Sequence, residues 1–187
     1  GTATFGIEHE RVDRIDGQPV RDILTGVDEL VRLGVADPRR LALAGHSHGG
    51  WLGPMVWTES SRFAAVSFAE GWSNWPVIYE AMPARHNIDV HDAMIGSSYY
   101  DNPARYNDLS PDLRMSQVTG AALFEAGAQN GPLFMFGMAK AARRRGLTTT
   151  FIVYPNTGHT VEQPEMRRES ATRNFRFFTD ALLRSAN

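Results

Sequence analysis

The sequence predicts an α/β fold, a mostly parallel sheet with helices on both faces, and three observations carry that expectation. Short apolar runs recur at residues 41–44, 63–68 and 121–124, with a β-branched and aromatic run at 148–154, and continuous runs of this length read as strands buried on both faces rather than strands with one wet face. Stretches with helical spacing separate them. The segment Gly45-His46-Ser47-His48-Gly49-Gly50 joins the first run to a helix-compatible stretch beginning at Trp51. It has the form of a sharp strand-to-helix turn.

Taken in order, Ile23, Leu24, Val27, Leu30 and Val31 form a helical stripe that Gly34 ends. The strand at Leu41 and the turn at Ser47 follow, then a helix, then the strand starting at Phe63. The roughly fifty residues between Glu70 and Gly120 are too long for a plain connection, so about 71–120 is expected to form a cap-like insertion. It holds Trp72, Trp75, Tyr79, Tyr99, Tyr100 and Tyr106, which suit either a flat apolar pocket or the packing of the cap itself. The strand at Ala121 leads to a helix over about 132–145, whose closing Arg143-Arg144-Arg145 complements the helix dipole. The strand at Thr148 and a last helix with Phe175, Phe178 and Leu182 on one face complete the chain. No internal repeat or low-complexity stretch interrupts this order.

Composition bounds the function. With 187 residues, 42% hydrophobic content and a net charge of −2, the chain can bury one sizeable core, and nothing in it suggests disorder or a nucleic-acid surface. No apolar stretch approaches the ~20 residues that span a bilayer, so no membrane partner is expected. Cysteine is absent, which rules out disulfides. No histidines fall at metal-ligand spacing beside carboxylates, so neither a metal site nor a cofactor is expected.

The chemistry concentrates at Ser47. A serine at the tip of a strand-to-helix turn needs small residues two positions away on each side, here Gly45 and Gly49. The turn lifts the hydroxyl clear of the sheet, and the His48 N–H lies where a developing oxyanion could be held. A serine nucleophile needs a base, and His159 is the candidate. It follows the strand at 148–154 on a loop, at the strand end where open α/β sheets gather functional groups. His46 and His48 flank the serine, whereas His9, His86 and His91 are expected on solvated loops.

The segment Asp37-Pro38-Arg39-Arg40-Leu41-Ala42-Leu43-Ala44-Gly45-His46-Ser47-His48-Gly49-Gly50 resembles the nucleophile segment of the prolyl oligopeptidase family of serine peptidases. Residues 1–6 and 22–28 are similar to that family's Gly-rich loop and the helix before its nucleophile strand. Residues 102–111 and 153–159 match later signposts in order. The resemblance implies an α/β-hydrolase catalytic domain acting on peptide or amide bonds, with esterases and acyl-transferring enzymes among the relatives.

The family places its triad aspartate three residues after a glycine that ends the penultimate strand. Here the position after Gly127 falls on Asn130. An amide orients an imidazole but lends it no charge, and the same swap costs a serine peptidase roughly four orders of magnitude in turnover. Glu70, at the neighbouring strand end, and then Glu125 are the carboxylates that could stand in.

The reading is therefore a serine hydrolase in which Ser47 attacks, His159 shuttles the proton, Asn130 orients the histidine and the His48 N–H stabilises the oxyanion. Its substrate is expected to be a peptide or a small amide or ester. An esterase or acyltransferase, or a non-catalytic binding protein of the same fold, are the alternatives. The resemblance also implies strands before the nucleophile strand that the sequence does not supply. The chain is thus expected to be the C-terminal part of one catalytic domain, completed by an upstream N-terminal fragment that also gives a second oxyanion donor, and compatible with a homo-oligomer.

Overall fold

A computed structural model describes residues 17–184. The Gly-rich residues 1–6 and His9 lie outside the described residues. Helix α1 (Gln18–Arg32) has Val20 as its buried anchor and stops before Gly34, whose φ of 71° suits glycine. Strand β1 (Leu41–His46) enters helix α2 (Gly49–Thr58) through the turn at Ser47. Strand β2 (Phe63–Ala69) precedes the long segment 71–120, which contains helix α3 (Trp75–Ala81), an irregular helical run over 84–95 with a π-helical stretch Asn87–Asp92, and helix α4 (Pro103–Asp108). Asn74 and Asn102 cap α3 and α4, each accepting the N–H three residues on. Strand β3 (Ala121–Gly127), helix α5 (Leu133–Arg144), strand β4 (Thr149–Tyr154) and helix α6 (Pro164–Arg184) follow.

The four strands form one parallel sheet in the order β1-β2-β3-β4. Adjacent residues of a strand point to opposite faces, and β2 shows which helix covers which. Phe68 packs against Gly53 of α2, whereas Ser67 reaches through the other face to Asn174 of α6. Phe124 and Phe151 pair in register with Phe68 and continue its face, where Phe151 meets Phe136 of α5. The central strands β2 and β3 are therefore covered on both faces, as their apolar runs require. Its centre is Trp57, Phe68 and Phe124, all three without solvent exposure.

Two expectations need correction. Phe175 is 73% exposed, so it does not share the inward face of α6 with Phe178 and Leu182, which are half-buried. The inward line runs instead through Ser170 and Asn174, which satisfy the buried Glu125 carboxylate together with the Tyr154 hydroxyl. An unpaired buried carboxylate would cost more than one exposed phenylalanine. His91 is not on a solvated loop. It is buried in the π-helical stretch against Trp75, Tyr79 and His86, and burial, reinforced by the nearby His86, pushes its pKa down to about 4.

The aromatics of segment 71–120 pack mostly against one another. Trp75, Tyr79 and Tyr106 are buried, Tyr106 donates to Asp92 and to the Ser97 carbonyl, and Tyr100 lies outside, donating to Glu80. Only Trp72 and Tyr99 remain half-buried among the aromatics singled out. Among the described residues, no helix is long and apolar enough to cross a membrane.

Candidate active site

Backbone sterics build the turn at Ser47. The serine adopts φ 60°, a left-handed conformation that costs a non-glycine residue about 1–3 kcal/mol and persists only where the surroundings enforce it. Here they do: the Ser47 N–H donates to the Ala69 carbonyl at 3.0 Å, and the Ser47 carbonyl accepts from Gly50 N–H at 2.8 Å. A side chain at Gly45 would strike the Gly49 carbonyl, which is why that glycine is required. Gly49 itself has open space where a side chain would stand, so the expected restriction two residues after the serine does not hold. It falls on Gly50, whose Cα packs against Gly71 and the Ala69 carbonyl at the end of β2.

The loop after β4 delivers the histidine. The backbones of the β3–α5 and β4–α6 loops are stitched together by Ala128 N–H to Tyr154 carbonyl at 2.9 Å and Gln129 N–H to Thr157 carbonyl at 3.0 Å. Gly127 allows this, because any side chain there would meet the Thr157 and Gly158 carbonyls. The loop brings His159 Nε2 to 2.8 Å from Ser47 Oγ, across a sequence separation of 112. His159 Nδ1 lies 2.9 Å from Asn130 Nδ2. Ser47, His159 and Asn130 thus form a continuous hydrogen-bonded line, and the His48 N–H, at the start of α2, makes no backbone hydrogen bond among the described residues.

Glu70 stands behind that line. It ends β2 in a left-handed conformation, φ 56°, with its side chain only 4% exposed. One carboxylate oxygen accepts from the Gly127 N–H, and the other accepts from Asn130 Nδ2 at 2.7 Å. It stays 4.0 Å from His159 Nδ1, so it contacts the histidine through Asn130 rather than replacing it. Glu125 is turned to the opposite face of the sheet and takes no part. His46 is a contributor that sequence reasoning passed over. Its Nε2–H donates to the His159 carbonyl at 3.0 Å and the two rings lie 5.1 Å apart, so β1 supports the histidine loop from below. Nothing in the local pattern around His46 signals this contact, which joins residues 113 apart.

Beside the serine, His48 packs edge-on to Trp51 and Trp72, and those two indoles stack at an interplanar angle of 6°. Trp51 is held from below by its N–H to the Leu109 carbonyl at 2.9 Å. The site therefore has an aromatic flank next to an exposed imidazole and a half-buried hydroxyl.

Comparison with known proteins bears on this arrangement. The family described as the prolyl oligopeptidase family matches residues 1–184. An acylamino-acid-releasing enzyme of Arabidopsis thaliana is 26% identical over 177 residues, which is 84% of this chain and 22% of that protein. A puromycin-hydrolyzing peptidase of Mycobacterium tuberculosis superposes with a TM-score of 0.80 at 23% identity, over 88% of this chain and 25% of that one. An acylaminoacyl peptidase of Pyrococcus horikoshii does so at 0.78 and 21%, over 87% and 27%. The chain spans about a quarter of the length of these relatives.

Proposed function

The chain belongs to the prolyl oligopeptidase family, and from that premise we propose that it carries the catalytic residues of a serine peptidase that cleaves peptide or amide bonds through an acyl-enzyme. The observation that carries this reading is the 2.8 Å contact between Ser47 Oγ and His159 Nε2 at a strained turn. In the proposed reaction Ser47 Oγ attacks the substrate carbonyl while His159 Nε2 takes its proton. The His48 N–H holds the oxyanion, the histidine passes the proton to the leaving amine, and water then releases the acyl group. Asn130 orients the imidazole. Puromycin and an N-acetylaminoacyl anilide are the first substrates to test, because the relatives' names describe puromycin hydrolysis and acylamino-acid release.

A second strand neighbour for β1 is part of the proposal. Ala42 and Ala44 of β1 are exposed and, among the described residues, β1 pairs only with β2, whereas Ala65, Val66 and Phe68 of β2 are without exposure. An apolar parallel strand is ordinarily covered on both sides. We propose that polypeptide upstream of Ser47 pairs with this edge and supplies the second oxyanion donor.

A fluorophosphonate probe tests the nucleophile. The full-length protein is expected to gain one adduct, located at Ser47 by peptide mass, and Ser47→Ala is expected to lose both the adduct and anilide hydrolysis while keeping its circular dichroism. Labelling that survives in Ser47→Ala would sink the reading. Hydrolysis of short p-nitrophenyl esters with no cleavage of the anilide or puromycin would move the assignment to an esterase.

A further inference from the structure

The Asn130 amide faces two groups with the same atom. Its Nδ2 is 2.7 Å from Glu70 Oε2 and 2.9 Å from His159 Nδ1, while those two acceptors are 4.0 Å apart. These distances set them about a right angle apart as seen from Nδ2, within reach of the two amide hydrogens. Amide nitrogen and oxygen are told apart by their partners. An ionised Glu70 can only accept, so it requires the nitrogen on its side. The second amide hydrogen then points at His159 Nδ1 and obliges that nitrogen to accept. The imidazole proton is left on Nε2, facing Ser47 Oγ. In that tautomer the histidine donates to the serine and has no lone pair with which to take its proton.

Taking the serine-peptidase reading as its basis, we infer that Glu70 is a positioning residue whose charge state sets the direction of the Asn130 amide and, through it, which nitrogen of His159 carries the proton. A proton taken up from solvent by Glu70 Oε2 turns that oxygen into a donor. The amide rotates so that its Oδ1 accepts from both Glu70 Oε2–H and His159 Nδ1–H. Nε2 is then bare and able to accept from Ser47. The other oxygen of Glu70 still accepts from the Gly127 N–H, so the carboxyl group itself need not move. The strained backbone at Glu70 aims both oxygens at these partners.

Among the described residues, the remaining titratable groups around this trio are otherwise engaged. From β1, His46 donates to the His159 carbonyl; from the start of α2, His48 packs on Trp51 and Trp72. From β3, the Glu125 carboxylate lies on the far face, bonded to Tyr154, Ser170 and Asn174, with Arg173 of α6 at 3.9 Å. None of them supplies the donor that an ionised Glu70 withholds from the amide oxygen.

The consequence runs against intuition: removing a carboxylate beside the triad should raise activity. In Glu70→Gln the side-chain oxygen keeps the Gly127 N–H and the amide donates to Asn130 Oδ1, which fixes the productive tautomer. The test uses the full-length protein labelled with 15N-histidine. Near neutral pH the wild type is expected to show His159 with a bare Nδ1 and a protonated Nε2, and Glu70→Gln the reverse. Glu70→Gln is expected to raise kcat by about tenfold or more, within the roughly four orders of magnitude that the wrong tautomer costs a serine peptidase, with KM little changed. A protonated Nδ1 in the wild type, which needs no variant to observe, or a fall of kcat in Glu70→Gln would overturn the inference. Probe labelling that still depends on Ser47 in that case would leave the peptidase reading standing.

Discussion

At Asn130 one amide nitrogen bonds a carboxylate on one side and an imidazole on the other, and every substitution there acts on both. Asn130→Asp places a second carboxylate 2.7 Å from Glu70 Oε2. Two carboxylates at that distance cannot both ionise at ordinary cost, so the pair shares a proton and titrates as a unit. The shared proton raises a carboxyl pKa in the folded state above its unfolded value, so the stability it brings is present at low pH and lost as pH rises through the folded value. Asn130→Asp should therefore lose about 1–2 kcal/mol relative to the wild type between pH 4 and pH 8, and Glu70→Gln in the same molecule should remove that slope. Urea denaturation across the pH range measures both. His46 acts at one remove, through the His159 carbonyl. His46→Ala should lower kcat several-fold without changing the Ser47 labelling site, and equal rates in the two proteins would show that the loop is held adequately without it.

Between elements, segment 71–120 titrates because it buries what its local sequence gives no reason to bury. His91, wedged between Trp75 and Tyr79, has its pKa lowered to about 4 by burial and by its neighbour His86. A base whose folded pKa is depressed is neutral in the fold and protonated in the unfolded chain between about pH 4 and its ordinary value near 6.5. Its contribution is thus complete above that window and lost as pH falls through it. Asp112 has the opposite sign. Burial raises its carboxyl to about 6, although hydrogen bonds from Asn74 and the backbone oppose the shift, so its ionisation penalises the fold as pH rises from about 4 to 6. His91→Gln should flatten the loss of stability on acidification by up to about 2 kcal/mol, and Asp112→Asn should stabilise the protein by about 1 kcal/mol at pH 7 with little effect at pH 4. Thermal melts at the two pH values separate these contributions, and parallel slopes in variants and wild type would refute them. Gly127 tests the contact between the two site loops: Gly127→Ala should displace residues 157–158 and cost activity more than stability, because the clash falls on the loop that carries His159 and not on the sheet core.

At the scale of the whole molecule, β1 pairs with β2 alone among the described residues. Its exposed Ala42 and Ala44 contrast with the sealed β2 one strand away, and Ser47 follows directly on the end of that open strand. If upstream polypeptide pairs there, hydrogen exchange of the β1 amides should be slower by about tenfold or more in the full-length protein than in residues 1–187 alone. Ser47 labelling should slow in parallel in the short chain. Equal protection of β1 in both would show that its edge has no such partner.

What the sequence by itself determined was set by short-range rules. Apolar runs of strand length separated by helical stripes made a parallel sheet covered on both faces, and the crowding around Ser47 confined its neighbours to glycine at Gly45. The order of serine and histidine along the chain led to Ser47 and His159, and the resemblance to the family's aspartate position led to Asn130; the fold brings the three into one hydrogen-bonded line. Only the tertiary structure decided what stands behind Asn130. Glu70 is 60 residues away, and whether its carboxylate reaches the histidine or the amide depends on the register of β2 against β3 and on a left-handed backbone angle, neither of which leaves a mark on local composition. The same holds for His46 under the histidine loop, for His91 among the indole and phenol rings, and for Phe175 turned outward so that Asn174 could meet Glu125. Periodicity reports which face of an element is apolar. It does not report which polar group on a second element must be satisfied there, and at this site that pairing sets Asn130 between Glu70 and His159.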